Sequence, residues 1–411
     1  MKIRFLLFLV LTWISGCLRL QAQNVSIIPC PREMKTGQQF FTIRPDVIIV
    51  YSTSGKNTAL ILQTYLKRLS GFQPELIESE KSGDGMIQFK YDKSFSKEQY
   101  DLIVAKEGIQ IVASDNTGWF YGLQSLLQLL PSFVDSSDNS SSMNIPEVTI
   151  RDAPRFPWRA FLLDEARYFK GMDQVKMLLG EMALLKLNVF HWHLVDDQGW
   201  RIEIKKYPLL TEIGSKRKSS QIGPLKWQSP IQSAEPHEGF YTQEEIREIV
   251  NYAKERHITI VPEIEMPGHS TAAIASYSWL GDVALATHAA SNGYDIVNSL
   301  HTETYLDYDY NSIPLSRAYA FNPIPAGLDP KYHDKVIGLG CQMWGEWIST
   351  RGNMHFMVFP RIAAYAEVGW TVMKNKNFDN FKLALLKFKK HWEQAGIYYA
   401  VDSVVEGESK R

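Results

Sequence analysis

Two histidines and two aspartates crowd one short stretch of this chain, Val189-Phe-His191-Trp-His193-Leu-Val-Asp196-Asp197-Gln-Gly-Trp200-Arg201. Side chains two apart on a strand share a face, so His191 and His193 point one way while Phe190, Trp192 and Leu194 point the other. An apolar run interrupted in this manner reads as a buried strand whose carboxyl end enters a polar cleft. Asp196 and Asp197 fall just past it, where a strand-to-helix loop begins, and barrel enzymes keep their chemistry at that end of their strands. Imidazole and carboxylate in one cleft suit either general acid–base chemistry or metal-assisted hydrolysis. The metal option would use His191 and His193, since His-x-His at a strand end also opens the metal site of barrel hydrolases. Against it, no further histidine falls at a later strand end, and the two rings are then hydrogen-bonded within strand and loop.

The elements that must position these groups read as repeated strand-then-helix units, which imply a parallel sheet covered by helices. Phe161 to Asp164 forms a first strand, followed by a helix whose buried stripe is Val175, Leu178, Leu179, Met182 and Leu185. The histidine stretch is the second strand. Thr242 with Glu245 three residues later is a capping box, opening a helix with Ile246, Ile249, Val250 and Ala253 on its inner face. Ile258 to Ile264 is a third strand and Met266-Pro-Gly-His269 its terminal turn. Later strands fall at Asp295 to Asn298 and Val336 to Met343, and a helix bearing Phe378, Phe381, Leu385 and Phe388 follows. Upstream, Phe40 to Ile43, Val47 to Tyr51, Met86 to Tyr91 and Gly108 to Val112 have strand composition. A helical stripe from Ile61 to Leu69 stops at Gly71, and a second helix runs over about Gly118 to Leu130. The serine-rich segment Ser136 to Ser142 has no apolar periodicity and reads as a linker. The division is therefore 1–22 signal peptide, 23–135 small α+β domain, 136–150 linker and 151–411 barrel-type domain.

With 411 residues, 45% of them hydrophobic and 12% aromatic, the chain can bury two cores. A formal net charge of −1 and the lack of any basic run argue against a nucleic-acid partner. Lys2 and Arg4 precede the apolar run Phe5 to Ile14, too short to span a bilayer and suited to an export signal. Ile14-Ser-Gly-Cys17 resembles a bacterial lipobox, which would place a lipid on Cys17; the alternative is plain cleavage after Ala22. The expected location is the periplasm or the outer membrane as a lipoprotein, or else outside the cell. Cys30 and Cys341 are too far apart in sequence to suggest a metal or disulfide pattern.

Six motifs, in order, carry a resemblance: Arg159-Ala-Phe-Leu-Leu-Asp-Glu-Ala-Arg167, His191-Trp-His-Leu-Val-Asp-Asp-Gln-Gly-Trp-Arg201, Gly239-Phe-Tyr-Thr-Gln-Glu-Glu245, Pro262-Glu-Ile-Glu-Met-Pro-Gly-His-Ser270, Tyr305-Leu-Asp307 and Trp344-Gly-Glu346. Together they resemble glycoside hydrolase family 20, the β-N-acetylhexosaminidases. The resemblance implies a TIM-type (β/α) barrel behind a small α+β accessory domain. It implies substrate-assisted hydrolysis of terminal N-acetylhexosamine from glycans, in which the 2-acetamido oxygen acts as nucleophile, with no metal or organic cofactor. By the same resemblance Asp196 and His269 form a relay pair that tunes the acid, and Arg167 binds ring hydroxyls; the bare spacing allows instead a salt bridge from Arg167 to Asp164. Tyr305 would donate to the acetamido carbonyl, Asp307 and Glu346 would accept from hydroxyls, and Trp279 and Trp344 would wall the acetamido pocket.

The family's Gly-Gly-Asp-Glu run, which carries the acetamido-steering Asp and the general acid Glu, has no counterpart in this sequence. Pro267-Gly-His-Ser-Thr-Ala-Ala-Ile-Ala-Ser-Tyr277 passes directly into Ser278-Trp279-Leu-Gly281. The stretch from Ser270 to the strand near Asp295 is long enough for about one crossover. About six or seven strands are expected where a closed barrel has eight, so the barrel is expected to be incomplete. Glu165, Glu263 and Glu265 are the carboxylates at strand ends available as substitutes. A sugar-binding relative without turnover is the remaining expectation.

Overall fold

The computed structural model describes residues 25–81, 83–130, 142–222, 231–265, 269–277, 296–299, 301–324, 333, 336–346 and 348–407. Cys17 and the expected leader, the Ser136–Ser141 part of the linker, Trp279 and the turn residues Met266 to Gly268 lie outside them.

The N-terminal unit is one mixed seven-stranded sheet, in the order β1-β7-β5-β6-β4-β2-β3. Its strands are β1 (Glu33–Ile43), β2 (Ile48–Tyr51), β3 (Glu75–Glu78), β4 (Met86–Tyr91), β5 (Tyr100–Ala105), β6 (Gly108–Ala113) and β7 (Met143–Asp152). Helices Lys56–Ser70 and Asn116–Leu129 accompany it. The first ends at Gly71, whose left-handed φ of 76° a Cβ would disfavour.

Strand β7 corrects the expected linker, because all but its serine-rich start belongs to the sheet. Met143, Ile145, Val148 and Ile150 are buried along β7, and the strand pairs with both β1 and β5. The phase of burial slips at Pro146. That residue lies beyond the reach of β5 and faces only Phe40 of β1, so its missing N–H removes no central ladder bond.

The second unit is built on five parallel strands in the order β14-β9-β8-β16-β15. They are β8 (Trp158–Asp164), β9 (Val189–His193), β14 (Thr259–Glu263), β15 (Ile296–Asn298) and β16 (Val336–Met343). Between β9 and β14 lie two small ribbons, β10 (Val195–Asp196) with β11 (Gly199–Trp200) and β12 (Lys216–Arg217) with β13 (His237–Glu238). Among the described residues β14 and β15 are the edges of the sheet and do not pair with each other, so within those residues the barrel is not closed. Past β15 the chain rejoins the sheet at Tyr305, which bridges Gln342 in parallel, and Leu306 N–H donates to the Gln342 carbonyl at 2.6 Å.

Helix Met172–Leu184 buries Val175, Leu178, Leu179 and Met182 as the periodicity requires. Helix Gln243–Lys254 carries the capping box between Thr242 and Glu245 in both directions. Its Val250 is the exception: expected on the inner face, it is 42% exposed. It lies with Ile258 and Ile260 in a groove along β14, which is an edge of the sheet among the described residues. The two units meet at the carboxylate of Asp152, fully buried. That group accepts from Lys186 Nζ at 3.2 Å, Tyr100 Oη at 2.8 Å and Trp370 Nε1 at 2.9 Å, so the buried charge is both paired and hydrogen-bonded.

Candidate active site

The carboxyl ends of β8, β9, β14 and β16 converge on one cavity of about 370 Å³, lined by Arg167, His193, Asp196, Glu265, His269, Tyr305, Asp307, Tyr308, Trp344 and Glu346. Seven of the eight site residues expected from sequence are thus brought together. The eighth, Trp279, lies outside the described residues.

Arg167 is the hub. Its Nη1 donates to Asp164 Oδ2 at 3.0 Å and its Nε to Gln198 Oε1 at 3.0 Å, while Nη2 meets Asp196 Oδ2 at 2.7 Å and Glu346 Oε1 at 3.6 Å. The salt bridge to Asp164 that the spacing allowed is thus present, and three of the five guanidinium N–H donors go to Asp164, Gln198 and Asp196, with Glu346 beside Nη2. Burial works against its charge, but Asp164, Glu346 and Asp196 outweigh that and hold it protonated well beyond the ordinary range. Behind it, Arg201 donates to the carbonyls of Glu165 and Ala166 at 3.0 and 2.8 Å, fixing the loop that presents Arg167. Asp164 also accepts from Gly345 N–H at 2.9 Å. A Cβ at Gly345 would stand 3.2 Å from both the Asp164 carbonyl and Oδ2, which explains the glycine between Trp344 and Glu346.

His193 is 1% exposed. Its Nε2 lies 2.9 Å from Asp196 Oδ2 and its Nδ1 2.9 Å from Glu263 Oε2. Burial disfavours the imidazolium, yet the hydrogen bonds to Asp196 and Glu263 and the charge of Asp164 prevail and push its pKa up to about 10. His191 Nε2 reaches the same Glu263 oxygen at 2.7 Å. Burial of Glu263 is likewise outweighed by the two histidines, which hold its carboxyl well below the usual range. His269 Nδ1 stands 3.3 Å from both Asp196 Oδ1 and Asp197 Oδ2, so Asp196 and His269 are adjacent, with Asp197 as a third member.

Arg361 donates from Nη2 to the Leu306 carbonyl at 2.5 Å and from Nη1 to the Tyr308 carbonyl at 2.8 Å. It thereby clamps the backbone on either side of Asp307. Asp307 is 2% exposed; burial first, then the charge of Glu346, push its carboxyl up to about 7. Burial and Asp164 raise Glu346 as well, opposed by Arg167. Among the described residues Asp307 Oδ1 and Glu346 Oε2 are buried acceptors with no hydrogen-bond partner. Trp344 packs edge-on to His193 at 5.3 Å and tilted against Tyr305 at 5.6 Å, a pair of aromatic faces beside the carboxylates.

His193, Glu265 and Tyr308 line the cavity although the expected sugar shell did not include them. Tyr308 follows Tyr305 by three residues at the same bend, a spacing that could have signalled it. Of the three candidate acids, Glu165 is fully buried, accepts from Lys170 N–H at 2.6 Å and does not line the cavity. Glu263 is engaged by the histidines and does not line it either. Glu265 does.

The fold and site define a glycoside hydrolase scaffold, and the comparisons agree. The profile described as "Glycosyl hydrolase family 20, catalytic domain" matches residues 156–283 and 276–373, and "Glycosyl hydrolase family 20, domain 2" matches 24–153. This chain belongs to glycosyl hydrolase family 20. The beta-hexosaminidase of Porphyromonas gingivalis is 27% identical, covering 92% of this chain and 65% of its own length. The beta-hexosaminidase of Vibrio furnissii is 38% identical over 64% of this chain and 41% of its own length. The crystal structure of the exo beta-N-acetylglucosaminidase from Vibrio harveyi with N-acetylglucosamine superimposes with a TM-score of 0.79 at 25% identity, covering 92% of this chain and 79% of that one. The chain therefore spans less than two thirds of the length of these two curated relatives. The Porphyromonas alignment runs over 516 positions, more than the 411 residues available, so that relative carries residues with no counterpart here. The two catalytic-domain matches overlap at 276–283, the stretch that contains Ser278-Trp279.

Proposed function

We propose that this chain is a β-N-acetylhexosaminidase-type hydrolase that removes terminal, non-reducing β-linked N-acetylhexosamine from glycans, with retention. The observation that carries this is the pair of buried acceptors Asp307 Oδ1 and Glu346 Oε2, unpartnered among the described residues, facing one cavity with Arg167 and the Trp344 and Tyr305 rings. Buried acceptors without partners are costly, and the hydroxyls of a pyranose are the donors that suit them. The Arg167 guanidinium complements hydroxyl oxygens, and the aromatic walls suit the acetamido methyl and the ring face. The names of the relatives support the same substrate class. In this reading the substrate's acetamido oxygen attacks C1, Tyr305 holds that carbonyl, and the Asp196–His269 pair tunes the protein's acid.

The test is hydrolysis of an aryl β-N-acetylglucosaminide by the purified mature chain, run beside a binding titration with N-acetylglucosamine. Binding and release of the aryl alcohol support the reading; binding without release selects the second reading, a sugar-binding relative, which the missing Gly-Gly-Asp-Glu run favours. The metal-hydrolase reading of His191 and His193 is the less favoured one, because both rings lie against one Glu263 oxygen, at 2.7 and 2.9 Å, and the relatives are named as hexosaminidases. Stoichiometric zinc in the purified protein would reverse that judgement.

We also propose that the chain is exported, either lipid-anchored at Cys17 or cleaved after Ala22. Mass spectrometry of the mature N-terminus separates the two. Among the described residues no helix is long and apolar enough to cross a membrane.

A further inference from the structure

We propose that Glu265 is the residue that protonates the glycosidic oxygen in this chain, in place of the acid that the Gly-Gly-Asp-Glu run would have carried. The proposal rests on the hydrolase reading above.

Three observations point to it. Among the three substitute carboxylates that the sequence offers, only Glu265 lines the cavity, together with Asp196, His269, Arg167 and Trp344. Its carboxylate also stands in a compact group with Glu263 and His193, whose ligand-type atoms all lie within 4.8 Å of one another. Within that group Glu263 is committed as an anion by His191 and His193, at 2.7 and 2.9 Å. A second anion beside it is disfavoured, so a proton shared by the two carboxylates resides on Glu265. Burial, together with the hydrogen bond and charge of Glu263, accordingly raises the Glu265 carboxyl. The division of labour follows the general rule for paired carboxylates, in which differing surroundings keep one ionised and leave the other as the acid.

The bond from C1 to the glycosidic oxygen breaks, its electron pair goes to that oxygen, and the oxygen takes the Glu265 proton to leave as an alcohol. The acetamido carbonyl oxygen bonds to C1, giving an oxazolinium ion and a Glu265 carboxylate. In the second half Glu265 takes a proton from the water that adds to C1, the oxazolinium ring opens, and the acid is regenerated.

The experiment compares wild type with Glu265→Gln on two substrates: an N-acetylglucosamine disaccharide, whose leaving alcohol needs a proton, and a dinitrophenyl β-N-acetylglucosaminide, whose leaving group does not. N-acetylglucosamine affinity is measured for both proteins as the check on folding. The expected result is unchanged affinity, a loss of about 100-fold or more on the disaccharide and less than about tenfold on the dinitrophenyl substrate. The alkaline fall of kcat that marks the wild-type acid should be missing from the variant. Equal disaccharide hydrolysis by both proteins, or a wild type that binds the sugar and never hydrolyses either substrate, overturns the assignment of Glu265. A wild type that fails to bind N-acetylglucosamine overturns instead the reading on which it rests.

Discussion

Asp307→Asn should make the free protein more stable at neutral and alkaline pH while weakening its grip on sugar. The carboxyl of Asp307 is pushed from its ordinary 3.8 to about 7 by burial and by Glu346. Between these values the folded state holds a proton that the unfolded state has released, so wild-type stability falls as pH rises from about 4 to 7. Each pH unit across that window is worth about 1.4 kcal/mol, giving no more than about 4 kcal/mol in all. Asparagine keeps the shape without the charge and removes this slope. Urea unfolding of both proteins at pH 4, 5.5 and 8 reads the effect: the difference in unfolding free energy should be near zero at pH 4 and should favour the variant by about 2 to 4 kcal/mol at pH 8. The same variant should bind N-acetylglucosamine at least about tenfold more weakly, since an amide nitrogen replaces an acceptor. A difference in stability that stays flat across the pH range would refute the reasoning, because Asp307 would then carry no strained charge.

Two further outcomes follow from the buried ion network. Arg167→Met should destabilise the protein by roughly 3 to 5 kcal/mol in urea unfolding at pH 7, because Asp164 and Asp196, with side chains 0% and 1% exposed, would lose their shared cation. His193→Gln should flatten the alkaline stability profile. The wild-type imidazolium, held up to about 10 against an ordinary 6.5, contributes stability that is complete below about pH 6.5 and is lost as pH rises through 10, no more than about 5 kcal/mol in unfolding measurements.

Most of the site was legible in the sequence because its residues sit at strand ends, where short motifs keep their spacing. Tyr305-Leu-Asp307 and Trp344-Gly-Glu346 each place two side chains on one face, and the chain does bring both pairs to one cavity. The division of labour among carboxylates was not legible. Glu165, Glu263 and Glu265 look alike as letters, and only the surroundings separate a fully buried acceptor, an anion clamped by two imidazoles and a cavity-lining acid. Arg361 as the clamp of Asp307 was also invisible, since it acts on backbone carbonyls 53 and 55 residues away in sequence. In the fold, the helices with a full inner stripe came out as read. Strand β7 did not, because Pro146 shifts the phase of its alternation midway and a serine-rich segment precedes it. Val250 falls inward on periodicity alone, which cannot register that β14 beside it is an edge of the sheet among the described residues.

The most direct test of the pocket itself is a calorimetric titration of N-acetylglucosamine into the full mature chain and into an Asp307→Ala, Glu346→Ala double variant. Saturable binding of one sugar per chain, abolished in the double variant, is the predicted result. No binding to wild type, or equal binding to both proteins, would contradict it.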